Sequence, residues 1–415
     1  MTRDLCEPAR LELADKFHPA TWLRRSVAGA DSISEVVTAL DVAAAAQRFA
    51  RFEPILARLF PDDGWNGRIC SALLDFPADA EAGRWLVKGD HALPMTGSIK
   101  ARGGVHEVLC IVEHVAQKSG LAIDLLTTEA ARRIFAHHTV VVASTGNLGF
   151  SIGVVARAFG FAAEIHMSAD AKKWKKDRLL ELGASLVEHD CDYSETIARA
   201  RQAASVRADA FFIDDETSKD LLAGYAVAAD EVAEQIEQRG LRIGPDRPLV
   251  VYLPCGVGGA PGGITHGLKR NFGANVVVVF VEPTASPCMM VALASGSALA
   301  PSVYEFGCDN DTVADGLAVP RASDLVLSAV GNAIDAVVAV PDAAMVRWVR
   351  QAWSTAGLRL EPSAAAAFAA HETFMGAATG QPGWPGLENA VHLFWATGGS
   401  KIPDPEFIAL LGDET

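Results

Sequence analysis

The sequence has few of the features that mark a zinc protein or a secreted, disulfide-rich protein. It contains seven cysteines in 415 residues, and no two of them form a Cys-x-x-Cys pair. A His-Glu-x-x-His motif is also missing, so the common zinc patterns are excluded. Because the cysteine count is odd and the spacing irregular, we expect free thiols in a reducing compartment, the cytoplasm.

Long apolar runs, a leader-like start and a basic charge balance are missing as well. The longest apolar runs, such as residues 276–281, are strand-length, whereas a membrane helix needs about 20 apolar residues. The start, MTRDLCEPARLELADKF, is too charged for a signal peptide. The net charge of -15 would repel a polyanion. We therefore predict a soluble protein with neither a membrane nor nucleic acid as a partner.

What the sequence does have is a regular alternation of short apolar runs with helical patterns. Half of the residues are apolar and 21% are charged, which is typical of a globular protein. The predicted strands cover residues 139–143, 163–167, 249–253, 276–281, 336–340 and 391–395. The predicted helices between them cover residues 148–159, 172–182, 193–204, 223–238 and 342–356. This order predicts an α/β fold with a parallel or mostly parallel sheet.

The first 80 residues show a different pattern. They read as amphipathic helices with loops, for example over residues 42–60, where we predict a break near Pro54. Nothing in their chemistry indicates a separate function.

Three predicted strands are followed at once by glycine-containing loops, and ligands bind at this end of a parallel sheet. The longest loop, residues 255–263, has the sequence CGVGGAPGG and precedes a predicted helix. Bare backbone N–H groups at a helix start suit a phosphate, although a tight turn is an equal alternative. The loop has neither the P-loop lysine nor the dinucleotide G-x-G-x-x-G spacing, so a nucleotide is less favoured.

Two other segments carry reactive or anion-binding side chains. In TGSIKARGG, Lys100 stands among small residues, and a buried Arg102 nearby would favour the neutral amine that Schiff-base chemistry needs. After the strand at 139–143 come Ser144, Thr145, Gly146 and Asn147, which we call the 144–147 turn. This turn can bind a carboxylate at a helix start, or Asn147 can simply cap that helix.

These segments occur together in one order, and the chain from residue 85 to 403 carries them all. LPMTGSIKARGGVHEVL, VVASTGNLGFSIG, YLPCGVGGAPGGITHGLK, RLEPSAAAA and HLFWATGGSKIP resemble the fold-type II pyridoxal-phosphate enzymes, the superfamily of tryptophan synthase β and the serine/threonine dehydratases. Within it, the bacterial D-serine dehydratases are the most similar. The resemblance implies two open, twisted, mostly parallel sheets flanked by helices. It implies a small domain at 113–223 and a large domain at 1–112 and 224–415, with residues 1–80 as a helical wrapping segment.

The resemblance also implies a role for each site residue. Lys100 would form the Schiff base with pyridoxal 5'-phosphate, and Asn147 would hydrogen-bond the phenolic oxygen of its ring. Thr397 would face the pyridine nitrogen. The 144–147 turn would bind the substrate carboxylate. The phosphate would lie on the backbone amides of Gly256, Val257, Gly258 and Gly259, with Val257 a departure from the unbroken glycine run that many relatives have.

The resemblance also implies a base that sets the stereochemistry of the substrate, and a site for a cation. Either Lys100 or Thr145 would remove the α-proton, and Thr145 is the candidate for a D-substrate. Glu282, Ser286 and Cys288 have the spacing of a cation site in related dehydratases, with potassium the first candidate and a structural hydrogen bond from Glu282 an equal alternative. The lysines of KKWKK are read as a solvated helix face. Glu361 lies near the ring or stabilises a helix start.

The resulting hypothesis is an enzyme that converts D-serine to pyruvate and ammonia, and D-threonine to 2-oxobutanoate, as a monomer or homodimer. The nearest alternatives are an L-serine/L-threonine dehydratase and a diaminopropionate ammonia-lyase. A nucleotide-binding oxidoreductase and a non-catalytic amino-acid sensor are more distant ones.

Overall fold

The structure, a computed structural model, describes residues 18–34, 41–62, 64–77, 83–144, 146–169, 171–297 and 299–412. Its strands are β1 Ala20–Leu23, β2 Leu73–Phe76, β3 Arg84–Lys88, β4 Thr139–Ala143, β5 Ala162–Ser168, β6 Ser185–His189, β7 Ala210–Ile213, β8 Leu249–Pro254, β9 Val276–Pro283, β10 Ala336–Val340 and β11 Val391–Trp395. They form a seven-stranded large sheet in the order β1-β10-β9-β8-β11-β3-β2 and a four-stranded small sheet in the order β6-β5-β4-β7.

The strand directions fit the predicted fold class. All pairs of the small sheet are parallel, and so are the inner pairs of the large sheet. Only the two edge strands, β1 against β10 and β2 against β3, run antiparallel. The prediction of two mostly parallel sheets is confirmed.

Helices connect and cover these strands. They are α1 Val42–Leu59, α2 Lys100–Lys118, α3 Glu129–Phe135, α4 Asn147–Phe159, α5 Lys173–Glu181, α6 Tyr193–Ser205, α7 Lys219–Ala226, α8 Ala228–Gln238, α9 Gly259–Phe272, α10 Cys288–Ser295, α11 Asp324–Val330, α12 Asp342–Ala356, α13 Pro362–Ala369, α14 His371–Ala378 and α15 Asp404–Leu411. The helix predicted over 223–238 is two helices, α7 and α8, which meet at Val227. Among the described residues, no helix combines the length and the apolar character needed to span a bilayer.

The two faces of the large sheet are covered by different apolar clusters. Along β8, Val251 belongs to one cluster and Val250 to the other, and along β9 the same holds for Val278 and Val279. Successive side chains of a strand point to opposite faces, so both faces are buried. This explains why the inner strands appear in the sequence as continuous apolar runs.

The N-terminal region is not the purely helical wrap that we predicted. Within its described part, β1 and β2 form the two edges of the large sheet. Both strands are four residues long, and the burial of β2 does not alternate regularly, so periodicity gave no signal for them. Residues 1–17, 35–40, 63 and 78–80 of this region lie outside the described part of the chain.

The predicted break at Pro54 is also wrong, because α1 continues through this residue to Leu59. A proline inside a helix removes one backbone hydrogen bond. The helix nevertheless buries Phe52, Ile55 and Leu56 on either side of the proline. We infer that this apolar contact offsets the missing bond.

Candidate active site

The three glycine-containing loops meet in one cleft between the two sheets. The 144–147 turn follows β4, the glycine loop follows β8, and Thr397 follows β11. The space in the cleft that no protein atom fills is about 690 Å³, a value that includes open solvent at its mouth. Its lining includes Lys100, Ser144, Asn147, Tyr193, Asp215, Gly256, Val257, Gly258, Gly259, Glu361, Ser363 and Thr397.

Lys100 is the first residue of α2, and its ammonium group faces an acidic and an aromatic side chain. Nζ lies 3.6 Å from Oδ2 of Asp215 and 5.7 Å from the ring centre of Tyr225. The preceding residue is tied to the β11 loop, because the Ile99 amide donates to the Thr397 carbonyl over 2.7 Å. The lysine and the threonine that sequence assigned to the same cofactor are therefore held by one backbone contact.

Arg102, which we predicted to be buried, lies within a cluster of charged side chains. Its guanidinium is buried away from the cleft, where Nε and Nη2 donate to the Asp90 carboxylate and Nη1 donates to Glu231. Lys88 joins the same cluster through an ion pair with Glu231. Two carboxylates thus balance two cations, and this buried cluster anchors the first turn of α2. Sequence could not reveal it, because Glu231 is 129 residues from Arg102.

The glycine loop forms a backbone cradle at the start of α9. Gly258 is the N-cap, with φ +107°, and it provides no side-chain cap for the helix amides. That backbone region is rarely open to other residues. The Val257 carbonyl accepts a hydrogen bond from the Ser323 amide over 2.9 Å, which fixes the loop at the position where it departs from a glycine run.

In the 144–147 turn, the serine and not the asparagine caps the helix. The Ser144 hydroxyl accepts from the amides of Gly146 and Gly149, at 3.0 and 2.8 Å. Asn147 is the first residue of α4, and its side chain reaches across the cleft to Glu361, at 2.8 Å. The alternative in which Asn147 caps α4 is therefore wrong. Thr145, the candidate base, lies outside the described residues.

Several lining residues were missed or misread from sequence. Glu361 is the N-cap residue of α13, makes no side-chain cap there and lines the cleft. Burial raises the pKa of the Glu361 carboxyl. Ser363 Oγ and Asp215 Oδ1 are buried, and among the described residues neither has a hydrogen-bond partner. Such orphaned atoms in a cleft are what a bound polar ligand would satisfy.

Lys175 is a further misreading of the sequence. It was read as part of a solvated helix face, yet it is 6% exposed and ion-paired with Asp315 over 2.6 Å.

The candidate cation site is built around a fully buried carboxylate. Glu282 accepts from the amides of Met289 and Met290, at 2.7 and 3.0 Å, and from the Cys288 thiol. The Ser286 hydroxyl has two acceptors within reach of its one proton, Asn310 Oδ1 at 2.6 Å and the Val319 carbonyl at 2.9 Å. The structural hydrogen bonds of Glu282 are thus present. Burial raises the pKa of its carboxyl to about 7, which an adjacent cation would oppose.

The chain matches the family model described as "Pyridoxal-phosphate dependent enzyme" over residues 72–382. This chain belongs to that family. It is 44% identical to a "Probable D-serine dehydratase" of Burkholderia lata, over 94% of this chain and 91% of that one. It is 42% identical to a protein of the same name from Sinorhizobium medicae, over 97% of this chain and 96% of that one.

Among solved structures, diaminopropionate ammonia lyase from Escherichia coli is similar with a TM-score of 0.72. It is 18% identical, over 95% of this chain and 97% of that chain. At this low identity the likeness establishes the fold, and this family member carries the fold-type II architecture that sequence predicted.

The residues of the cleft fit the cofactor of the family. The backbone cradle at Gly258 suits a phosphate, and Lys100 supplies a primary amine to the same cleft. Ser363 Oγ and Asp215 Oδ1, which have no hydrogen-bond partner among the described residues, can form hydrogen bonds to a ligand. The chain therefore offers backbone amides for the phosphate of pyridoxal phosphate and an amine for its aldehyde.

Proposed function

We propose that this family member is a D-serine ammonia-lyase that converts D-serine to pyruvate and ammonia, and also D-threonine to 2-oxobutanoate. The observation that carries the proposal is the meeting of Lys100, the glycine loop and the 144–147 turn in one cleft. Relatives that carry the name D-serine dehydratase match nearly the whole chain, and this favours D-serine over the substrates of the alternative enzymes.

In this proposal each cleft residue holds a defined part of the cofactor. Lys100 would hold the aldehyde carbon through its amine, and the amides of Gly256, Val257, Gly258 and Gly259 would hold the phosphate. Asn147 binds the phenolic oxygen. Thr397 offers the pyridine nitrogen a hydroxyl, which cannot keep it protonated as a carboxylate would, and this favours elimination over transamination. When bound, pyridoxal phosphate supplies an electron-accepting ring that acidifies the α-carbon of the amino acid.

The 144–147 turn would then orient the substrate through its carboxylate. The α-proton moves to a base of this chain, either Lys100 Nζ or the Thr145 hydroxyl, as the C–H bond breaks. The β-hydroxyl leaves as water, and the α-proton that the base takes up balances the proton that the hydroxyl gains. The product leaves as aminoacrylate, which water hydrolyses to pyruvate and ammonia. For a D-substrate we keep Thr145 as the base, and Thr145→Val is expected to abolish turnover of D-serine.

The decisive experiment compares pyruvate release from D-serine and L-serine by protein supplied with pyridoxal phosphate. We expect a yellow protein with kcat/KM for D-serine about a hundredfold higher, and a colourless, inactive Lys100→Ala variant as control. A preference for L-serine would make the chain an L-dehydratase, and turnover of diaminopropionate alone would make it that lyase. A yellow protein without turnover would be a sensor. A protein that stays colourless with pyridoxal phosphate would exclude the Schiff base and favour the nucleotide-binding oxidoreductase.

We also propose a monovalent cation, with potassium the first candidate, at Glu282 with the backbone carbonyls of Ser286 and Cys288. The buried carboxylate, whose pKa is raised, supports this, since a cation would stabilise its ionised form. Exchanging potassium for sodium is expected to lower both activity and thermal stability in wild type but not in Glu282→Gln. If neither property responds to the ion, the cation is excluded.

The remaining proposals concern organisation and location. We propose that residues 113–223 form a small domain and that 1–112 with 224–415 form a large one. All strands of the small sheet lie within the first range. We propose a monomer or homodimer in the cytoplasm, with no nucleic-acid or membrane partner. The net charge of -15 would repel nucleic acid, and an odd number of irregularly spaced cysteines is typical of a reducing compartment.

A further inference from the structure

Lys175 is a buried cation on a helix that is rich in charged residues. It lies in the first turn of α5, where the side chain of Lys173 is 86% exposed and that of Lys175 only 5%. Burying an ammonium group is costly unless it is paired. Its ammonium group is ion-paired with Asp315 over 2.6 Å and lies 5.5 Å from the ring centre of Trp174. Its charge also acts on the carboxyl of Glu361. The solvated helix face that we predicted for these lysines therefore does not explain Lys175.

The side chain of Lys175 lies directly on the 144–147 turn. A Cβ placed on Gly146 would meet Cδ of Lys175 at 2.7 Å and Nζ at 3.3 Å. The glycine thus leaves room for the lysine, and the ammonium group stands beside the start of α4. In the proposed enzyme this is where the substrate carboxylate binds.

Asp315 is paired with this ammonium group from the segment between α10 and α11. It begins a short 3-10 turn, and the next two residues, Gly316 and Leu317, line the same cleft as Lys100. The carboxylate of Asp315 is 35% exposed, so solvent screens its hold on the lysine. A second cavity adjoins the cleft, lined by Lys175, Asp315 and Glu361 among others, so the pair stands at the border of the two.

We propose that Lys175 is the cation that receives the α-carboxylate of the substrate, and that Asp315 is its counter-ion while the site is empty. The proposal rests on the proposed function, since it assigns a residue to the carboxylate end of that amino-acid substrate. On binding, the ammonium group exchanges a half-solvated carboxylate for one held at the start of α4. Asp315 therefore competes with the substrate for the same cation.

This competition separates a substrate-binding lysine from a merely structural ion pair. If the pair only joins two segments, Lys175→Met and Asp315→Asn lose the same contact and shift KM in the same direction. If Lys175 binds the substrate, the two substitutions shift KM in opposite directions. We expect Lys175→Met to raise KM for D-serine about ten- to a hundredfold, the effect of losing one hydrogen bond between charged groups. Asp315→Asn is expected to lower KM about two- to threefold.

The experiment measures kcat and KM for D-serine in the holoenzyme, with absorbance reporting how much pyridoxal phosphate each variant retains. Lys173→Met is the matched control, because this lysine of the same helix is exposed and paired with Asp177. D-serinamide, which has no carboxylate, serves as a second substrate. For it we expect wild type and Lys175→Met to show equal KM values, and cofactor content to be unchanged throughout.

Each result has a defined meaning. Equal shifts of KM in Lys175→Met and Asp315→Asn, or a shift that persists with D-serinamide, would overturn the inference and leave the proposed function intact. If wild type turns over a different amino acid, the proposed function is overturned, and the same comparison with that amino acid decides the role of Lys175. A wild-type holoenzyme that turns over no amino acid overturns both.

Discussion

Asn147 donates from Nδ2 to Oε1 of Glu361 over 2.8 Å, although the two residues are 214 positions apart. The bond spans the cleft from the first turn of α4 to the residue before α13. Burial raises the pKa of the Glu361 carboxyl, whereas the nearby charge of Lys175 lowers it. The amide that sequence assigned to the cofactor is thus oriented by a carboxylate on the opposite wall.

This relationship predicts a difference between two substitutions of Glu361. Glu361→Gln keeps an oxygen that accepts from Asn147, so we expect kcat/KM for D-serine to fall by less than about fivefold. Glu361→Ala leaves the amide unpaired in a buried site, which costs about 1–3 kcal/mol, and kcat/KM should fall about ten- to a hundredfold. Steady-state kinetics on both variants checks this. Equal activity in the alanine variant and wild type would show that Glu361 does not orient Asn147.

The cradle in the glycine loop predicts a specific loss of cofactor affinity. Gly258→Ala puts a side chain where φ is +107° and where a Cβ would meet Met289 Cε at 2.8 Å. We expect the dissociation constant for pyridoxal phosphate, measured by absorbance titration, to rise at least about tenfold. Gly376→Ala is the control, since this position in α14 has nothing within 4 Å of the new Cβ. Cofactor binding that is unchanged in Gly258→Ala would place the phosphate elsewhere.

The buried cluster under α2 predicts a large effect on stability. Arg102→Met leaves the carboxylates of Asp90 and Glu231 short of one cation, and removal of one partner from a buried ion pair costs about 3–5 kcal/mol. Arg84→Met, which removes an exposed ion pair with Asp75, should cost less than about 1 kcal/mol. Denaturant unfolding of both variants measures the difference. Similar losses in the two would mean that the cluster contributes no more than a surface pair.

Stability should also fall on the acid side because of buried histidines. Burial lowers the pKa of His392 to about 3, with a smaller contribution from His371. Between pH 6.5 and pH 3, His392 is protonated in the unfolded chain but stays neutral in the native protein. The free energy of unfolding is therefore unaffected by His392 above pH 6.5 and falls as the pH is lowered towards 3. At pH 5 the loss amounts to about 2 kcal/mol. We expect His392→Gln to flatten the pH dependence of unfolding between pH 5 and 7, and an unchanged slope would contradict this.

The parts of the site that follow inner strands could be predicted from the sequence. Strands β4, β8 and β11 are buried on both faces, so each appears as an apolar run that ends at a glycine-containing loop. Since parallel strands of one sheet present their carboxyl ends at one edge, the loops after the neighbouring strands β8 and β11 share an edge of the large sheet. The approach of the turn after β4, a strand of the small sheet, had to be supplied by the structure.

Residues whose environment depends on distant partners could not be predicted. Lys175 looks the same in sequence as the exposed Lys173, and its burial is decided by Asp315, which is 140 residues further along the chain. The guanidinium of Arg102 turned away from Lys100 for the same reason, because its carboxylate partners come from other elements. The edge strand β1 escaped detection because its four residues are all half-buried and show no alternation.

That edge strand has a consequence for how the chain is made. Its pairing places Ala20 opposite Ala339, so β1 leaves the ribosome long before the strand that it joins. Until β10 has been synthesised, β1 offers unpaired backbone groups to any other strand edge. Only β11 is made later, and it joins β8 to β3 in the middle of the same sheet. Synthesis of nearly the whole chain must precede the closing of this edge.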